Sequence, residues 1–155
     1  RFLARRLVIL SSEDVGNADP AALPLAVACA QACELVGLPE CQLNLAQTVA
    51  YLACAPKSNA ATNAIFEAKN EVRTQALHPV PRHLRDAHYK GSESLGHVGY
   101  RYAHDAPDGI AAQEYLGVDR EFYRPVDRGF ERELAERLKI IRSRLKESNG
   151  DAGNG

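Results

Sequence analysis

The chain has 155 residues, 45% of them hydrophobic and 25% charged, and a formal net charge of -1. A chain of this length buries roughly 70% of the surface its unfolded form exposes, which supports one cored domain. The near-neutral balance excludes a global pull toward nucleic acid or membrane, so any such binding needs a local patch.

The longest weakly polar run, from Ala21 to Val36, carries Gln31 and Glu34. It falls short of the ~20 apolar residues that a bilayer span requires. No basic-then-apolar signal segment opens the sequence. Arg1 already sits inside a helical pattern and the chain has no methionine, both of which point to a piece of a longer protein. The expected location is the cytoplasm.

Residues 1–15 predict a helix with Leu3, Leu7 and Leu10 on one side and Arg5 and Arg6 off it. Gly16 is a natural stop, because glycine accepts positive φ without a Cβ clash. Asp19-Pro20 then supplies an N-cap carboxylate and a proline at the first helical position. Pro24 is expected to remove one hydrogen bond and bend the next helix. That helix runs to about Val36, is apolar nearly all round and is built of small residues, so it is expected to be buried.

Gly37-Leu38-Pro39 opens a third helix, to about Cys54, with Leu45, Val49, Leu52 and Ala53 expected inward. Ser58 is the expected N-cap of a fourth helix towards Leu77, with Ile65, Phe66, Val72 and Ala76 as its stripe. Residues 1–77 thus form a four-helix half.

From 78 to 127 proline, glycine, histidine and tyrosine dominate and no helical stripe persists. A short helix is expected over Arg82–His88. Gly99–Ala103 and Gln113–Leu116 are candidates for short, pairing β strands. Regularity returns at 128–147, where Phe130, Leu134, Leu138, Ile141 and Leu145 repeat at helical spacing. The opposite face of that helix, with Glu131, Arg132, Glu133, Glu136, Arg137, Lys139 and Arg142, reads as a solvated salt-bridging surface. Residues 148–155 read as a disordered tail, leaving 1–147 as one domain. The fold class is mainly α, a helical bundle with a long irregular excursion.

Cys29, Cys33, Cys41 and Cys54 lie among Ala, Leu and Val at spacings that fit no zinc pattern. They read as reduced thiols serving as small core hydrophobes. His78, His83, His88, His97 and His104 all fall in the excursion, at intervals that match no familiar ligand motif. No metal site is expected.

Lys57-Ser58 resembles the end of a phosphate-binding loop, but Ala53-Cys54-Ala55-Pro56 lacks the required glycines. No Gly-x-Ser-x-Gly elbow, Cys/His pair or dinucleotide loop is present, so no catalytic or cofactor-binding residue is assigned. Ser12, Glu13, Asp14, Asn17, Lys57, Ser58 and Asn59 are candidate assembly or intramolecular contacts. Adjacent acids beside the negative end of a helix are not locally stabilising, which calls for a basic partner. Arg5, Arg6 or Lys57 is the expected one. Arg82, Arg85, Lys90 and Arg101 interleave with Tyr89 and Tyr102, the pairing of cations and stacking rings that suits single-stranded DNA.

Four stretches, Ser11–Pro20, Leu52–Ala60, Pro79–Ala87 and Gly99–Asp105, together resemble the replication-associated recombination protein A family. Arg5–Ile9 and Tyr123–Arg124–Pro125 extend the likeness, which covers Arg1 to about Leu145. These are clamp-loader-related AAA+ ATPases with the Werner-helicase-interacting ATPase as a eukaryotic relative. The resemblance is to the part after the ATPase core, which is similar to the oligomerisation collar of clamp loaders. It implies a homotetramerisation domain of an ATPase acting on DNA at stalled replication forks. It also implies ATP and Mg bound by a separate N-terminal ATPase module, and DNA and single-stranded-DNA-binding protein as partners of the nucleoid-associated whole. The alternative from the residues themselves is a DNA-binding module built on segment 82–102. The run Gln113–Val118 is shorter than the family's pattern, which leaves the geometry of the late loop open.

Overall fold

The structure is a computed structural model that describes residues 1–75 and 77–151, with side chains to 146. Five α-helices carry it: α1 Phe2–Leu10, α2 Ala22–Val36, α3 Cys41–Cys54, α4 Ala60–Thr74 and α5 Glu131–Asp151. Among the described residues there is no strand. The fold is mainly α, a helical bundle, as its hydrophobic periodicities predict. Two compact units divide it. Unit 1 is Arg1–Arg73 with Phe122–Ala135, and unit 2 is Thr74–Glu121 with the chain from Glu136 onward.

Unit 1 is built on small side chains. Leu7, Val15, Ala22, Ala26, Cys29 and Leu52 form its buried cluster, with Val8, Leu10, Cys33, Leu45 and Ala55 packed against it. Burying each larger aliphatic contributes about 1.5–3 kcal/mol, and the alanines let helix backbones approach closely. The expected first helix is cut in two. The α-helical part ends at Leu10, and Ser11–Val15 forms a π turn closed by the Gly16 N–H on the Ser11 carbonyl. The widened turn places Val15 in the core, while Leu3, expected inward, is exposed.

Pro24 takes no hydrogen bond from α2. It falls in the first turn, where its missing N–H would have had no partner inside the helix. Asp19 is not the N-cap, which is Ala21 without a side-chain cap bond; its carboxylate instead shapes the turn before α2, accepting from Ala21 N at 3.0 Å. The expectation of an all-round buried α2 is corrected: only Ala22, Ala26 and Cys29 are buried, and the larger Leu23, Val27, Leu35 and Val36 face out. In α3 the inner positions are Cys41, Leu45, Thr48 and Leu52, whereas Val49 and Ala53 are exposed. Thr48 enters the core because its hydroxyl is satisfied by the Asn44 carbonyl at 2.9 Å. Helix α4 also packs through small residues, with Ala60 buried and Ala64 and Ala68 half-buried. Its expected stripe of Ile65, Phe66 and Val72 is turned outward; Ala76 lies outside the described residues.

In unit 2 the excursion is a chain of 3₁₀ turns at Arg82–Leu84, Glu93–Leu95, Ala103–Asp105 and Pro107–Gly109. The short helix expected at Arg82–His88 is only the first of these turns, since Arg85 is already extended. The expected β pairing is replaced by a side chain standing in for a strand. Gln113 accepts from Arg101 N and donates to Arg101 O, both at 2.9 Å. One amide reproduces the donor–acceptor pair of a ladder rung, so the two limbs meet without sheet geometry. Helix α5 supplies unit 2 with cations. Arg142 pairs with Glu121 at 2.8 Å, and Arg144 pairs with Asp108 and donates to the Pro107 carbonyl. Arg142 therefore holds loop chain rather than facing only water. Helical backbone continues through Asp151, and the rest of the expected tail, 152–155, lies outside the described residues.

Candidate functional site

The motif residues of unit 1 converge on one buried carboxylate. Glu131, the first residue of α5, is fully buried. Its oxygens accept from Ser58 Oγ at 2.7 Å, Tyr123 Oη at 2.8 Å and Val126 N at 2.7 Å. A buried carboxylate is tolerated only when donors surround it in this way, and a helix start adds favourable amide dipoles. Tyr123 Oη in turn accepts from Asn17 Nδ2 at 3.0 Å. Burial, together with the Glu131 carboxylate, pushes the Tyr123 phenol above its ordinary value, against the opposite pull of the Asn17 amide.

The surrounding turns are locked through backbone. Ser58 N donates to the Asp14 carbonyl at 2.7 Å, and Thr62 Oγ1 donates to the Glu13 carbonyl at 3.1 Å. Phe130 N donates to the Ala18 carbonyl at 2.8 Å, and Arg128 Nη1 to the Lys57 carbonyl at 3.0 Å. Ser58 Oγ also accepts from Ala60 N at 3.2 Å, satisfying the first amide of α4 from two residues before it. Asn59 Oδ1 accepts from Asn63 Nδ2 at 3.3 Å.

Two glycines permit this closeness. Gly16 has φ +53, and a Cβ there would stand 2.7 Å from the Ser58 carbonyl oxygen. Gly129 has φ +52, and a Cβ there would overlap the Ala18 carbonyl. Both conditions select glycine.

The sequence grouping is thus resolved in part. Asn17 and Ser58 join one network, and Glu13, Asp14 and Lys57 enter it by their carbonyls. The Ser12, Glu13 and Asp14 side chains are exposed. Lys57 is not the partner of Glu13. Its ammonium donates to the Leu52 carbonyl at 2.7 Å and to the Ala55 carbonyl, capping the negative end of α3. Glu131 is the residue that sequence reasoning misplaced. It stands next to Phe130 in the apolar repeat, so helical spacing assigns it to the wet face. The available signal was its place in the first turn, where an acid is favoured. No group of three His, Cys, Asp or Glu side chains among the described residues could hold a metal ion.

Unit 2 carries the second candidate surface, a groove of about 630 Å³ whose lining includes His83, Arg85, Asp86, His88, His97 and Tyr100. Asp86 accepts from the His88 backbone and ring, both at 2.9 Å, which holds its carboxyl below the usual range. Tyr89 Oη and the Asp86 carbonyl both lie 3.1 Å from His97 Nδ1, and the Tyr89 and His97 rings meet edge to face at 5.9 Å. Arg85 donates to the Val80 carbonyl at 2.8 Å and Arg101 to the Ala112 carbonyl at 3.1 Å. Arg82 lies along Gly96. Tyr102 leans on His104 at 5.0 Å and stays about half exposed, as does Tyr100. Among the described residues none of Arg82, Arg85, Lys90 and Arg101 is in an ion pair.

A family profile described as "MgsA AAA+ ATPase C terminal" matches residues 1–142. An uncharacterized AAA domain-containing protein of Mycobacterium tuberculosis is 51% identical over 97% of this chain and 34% of its own length. The replication-associated recombination protein A of Coxiella burnetii is 44% identical over 91% of the chain and 33% of its own. The ATPase WRNIP1 of Dictyostelium discoideum is 40% identical over 69% of the chain and 12% of its own. The chain spans about a third of the length of the two bacterial relatives. No helix among the described residues is long and apolar enough to cross a membrane.

Proposed function

The chain belongs to the MgsA AAA+ ATPase C-terminal family, and from that we propose that it is the self-assembly domain of an AAA+ ATPase. The assembly is a homotetramer that sets its ATPase modules side by side. The observation that carries this reading is the apolar surface of unit 1: α2, α3 and α4 bury their small residues and leave Leu35, Leu43, Ile65, Phe66 and Val72 in solvent. Uncovered apolar faces of this kind mark association surfaces. ATP and Mg belong to the ATPase module of the same protein, and this chain supplies neither site. The name replication-associated recombination protein A, carried by the Coxiella burnetii relative, supports a role in that process, and the proposal extends it to action on DNA beside single-stranded-DNA-binding protein, in the cytoplasm at the nucleoid.

Light scattering of the purified chain across a dilution series tests this. A tetramer that persists to low micromolar concentration is expected. A monomer at every concentration rejects self-assembly as this domain's role.

A second reading rests on a separate observation in unit 2. Among the described residues Arg82, Arg85, Lys90 and Arg101 are in no ion pair, and Tyr89, Tyr100 and Tyr102 in the same segment are each about half exposed. Unneutralised cations next to open rings fit single-stranded DNA, with phosphates on the cations and bases on the rings. Both roles can coexist in one assembly. Anisotropy of a labelled single strand at low salt decides it, and absence of binding there removes the second reading.

A further inference from the structure

Both protons of the Gln113 side-chain amide are committed. Nε2 donates to Arg101 O at 2.9 Å and to Tyr115 Oη at 3.1 Å, while Oε1 accepts from Arg101 N at 2.9 Å. Tyr115 Oη is anchored in turn on the carbonyl of buried Ala111 at 3.1 Å. Arg101 Nη1 donates to the Ala112 carbonyl, also at 3.1 Å. Backbone and side chain of Arg101 are therefore both tied to the 111–115 limb.

Pinning Arg101 sets the direction of its two neighbours. Residues 97–102 contain no turn, and Tyr102 is extended at φ -73 and ψ 121. Successive side chains of an extended segment point to opposite faces. With Arg101 turned to the limb, Tyr100 and Tyr102 share the face away from it, and their near-equal exposures of 55% and 56% agree. His104 backs the Tyr102 ring at 5.0 Å. Side chains two residues apart on such a segment stand about 6.7 Å from one another. That is about twice the ~3.4 Å rise of a stacked strand. The two rings thus suit successive bases of a strand drawn out of its own stack, which a duplex cannot present.

We infer that Gln113 is a positioning residue that holds Tyr100 and Tyr102 as a two-ring platform for successive bases of single-stranded DNA. The inference rests on the single-strand reading above and adds the mode of contact and the residue that sets it. Stacking of this kind is tolerant of sequence, because every base has a π face.

The test compares wild type, Gln113→Ala, the double variant Tyr100→Ala with Tyr102→Ala, and the triple variant. Anisotropy of a labelled thymidine strand at several salt concentrations reads the affinity, and the fluorescence of a strand carrying 2-aminopurine reads stacking. Gln113→Ala is expected to weaken binding by about 10-fold or more at every salt concentration, with the salt slope unchanged and the 2-aminopurine quenching reduced. Added to the ringless double variant, the same change is expected to cost nothing further, because it acts through the rings. Wild-type affinity and quenching in Gln113→Ala overturn the positioning role and leave the single-strand reading standing. An equal loss in the ringless background also overturns it, since the amide would then be acting on the fold rather than on the rings. A wild type without affinity for single strands removes both.

Discussion

The Ser58 hydroxyl donates to the Glu131 carboxylate at 2.7 Å, tying the turn before α4 to the first residue of α5 across 73 positions. This bond and its companions from Tyr123 and Val126 fix where the chain re-enters unit 1 after the excursion. Removing the acceptor leaves three donors in a dry site. Glu131→Ala is therefore expected to destabilise unit 1 by about 3 kcal/mol or more, and Glu131→Gln by less, because the amide keeps one oxygen. Urea unfolding followed by circular dichroism checks the order. Equal midpoints for Glu131→Ala and wild type would mean that the carboxylate is not holding the junction.

Gly16 faces two demands at once, a positive φ and an approach of 2.7 Å to the Ser58 oxygen that any Cβ would make. Backbone strain of this kind costs about 1–3 kcal/mol before the clash is counted. Gly16→Ala is expected to lower the urea midpoint by more than a substitution at exposed Ser12. It also separates the π turn from α4, so the Ser58 amide should lose its protection in hydrogen exchange. An unchanged exchange rate at Ser58 would contradict this.

Much of unit 1 is legible in the sequence because capping and breaking residues act locally. Gly16, Asp19, Gly37 and Ser58 mark helix ends that appear within a few residues of their expected places. What periodicity misjudges is direction. Helical spacing places Val49, Ile65 and Phe66 inward, yet α3 and α4 pack through Thr48, Ala60 and Ala64. When a core is built on small residues, size no longer identifies the inner face. Glu131 illustrates the converse, since a buried acid is visible only once Ser58 and Tyr123, distant in sequence, are placed beside it. The Gln113–Arg101 clasp is also long-range, and no local signal distinguishes it from a strand pair.

Tyr123 makes the junction sensitive to alkali. Burial and the Glu131 carboxylate raise its phenol above the ordinary 10.0. A raised value in the folded state means that its contribution is complete below about pH 10 and is lost as pH rises through the folded value. Wild type is expected to lose stability above pH 10 more steeply than Tyr123→Phe, which has no proton to release. Tyr51, raised by its bond to Asp19, is present in both proteins and cancels. Parallel pH profiles would remove Tyr123 as the sensitive group.

The cysteines should separate by environment. Cys54 is exposed, while burial, then Cys29, push the Cys33 thiol up to about 11. The thiolate is the reactive form, so at pH 8 a thiol reagent should label Cys54 promptly and Cys33 slowly. Mass spectrometry of the labelled chain reads this directly. Prompt labelling of Cys33 in folded protein would show that the α2–α3 packing opens readily.

Single-strand binding by unit 2 has a quantitative signature. Each phosphate neutralised on a single strand contributes about 0.7 to the slope of log affinity against log salt. If Arg82, Arg85, Lys90 and Arg101 all engage, the slope should approach about -3. The double variant Arg82→Ala with Arg85→Ala should reduce its magnitude by about 1.4. Tyr100→Ala should behave differently, weakening binding at every salt concentration by about 1–3 kcal/mol with the slope unchanged. Cations and rings act through separate physics, so a slope that survives the double arginine variant would place the phosphates elsewhere, and a slope altered by Tyr100→Ala would mean that the ring positions the cations rather than stacking on a base.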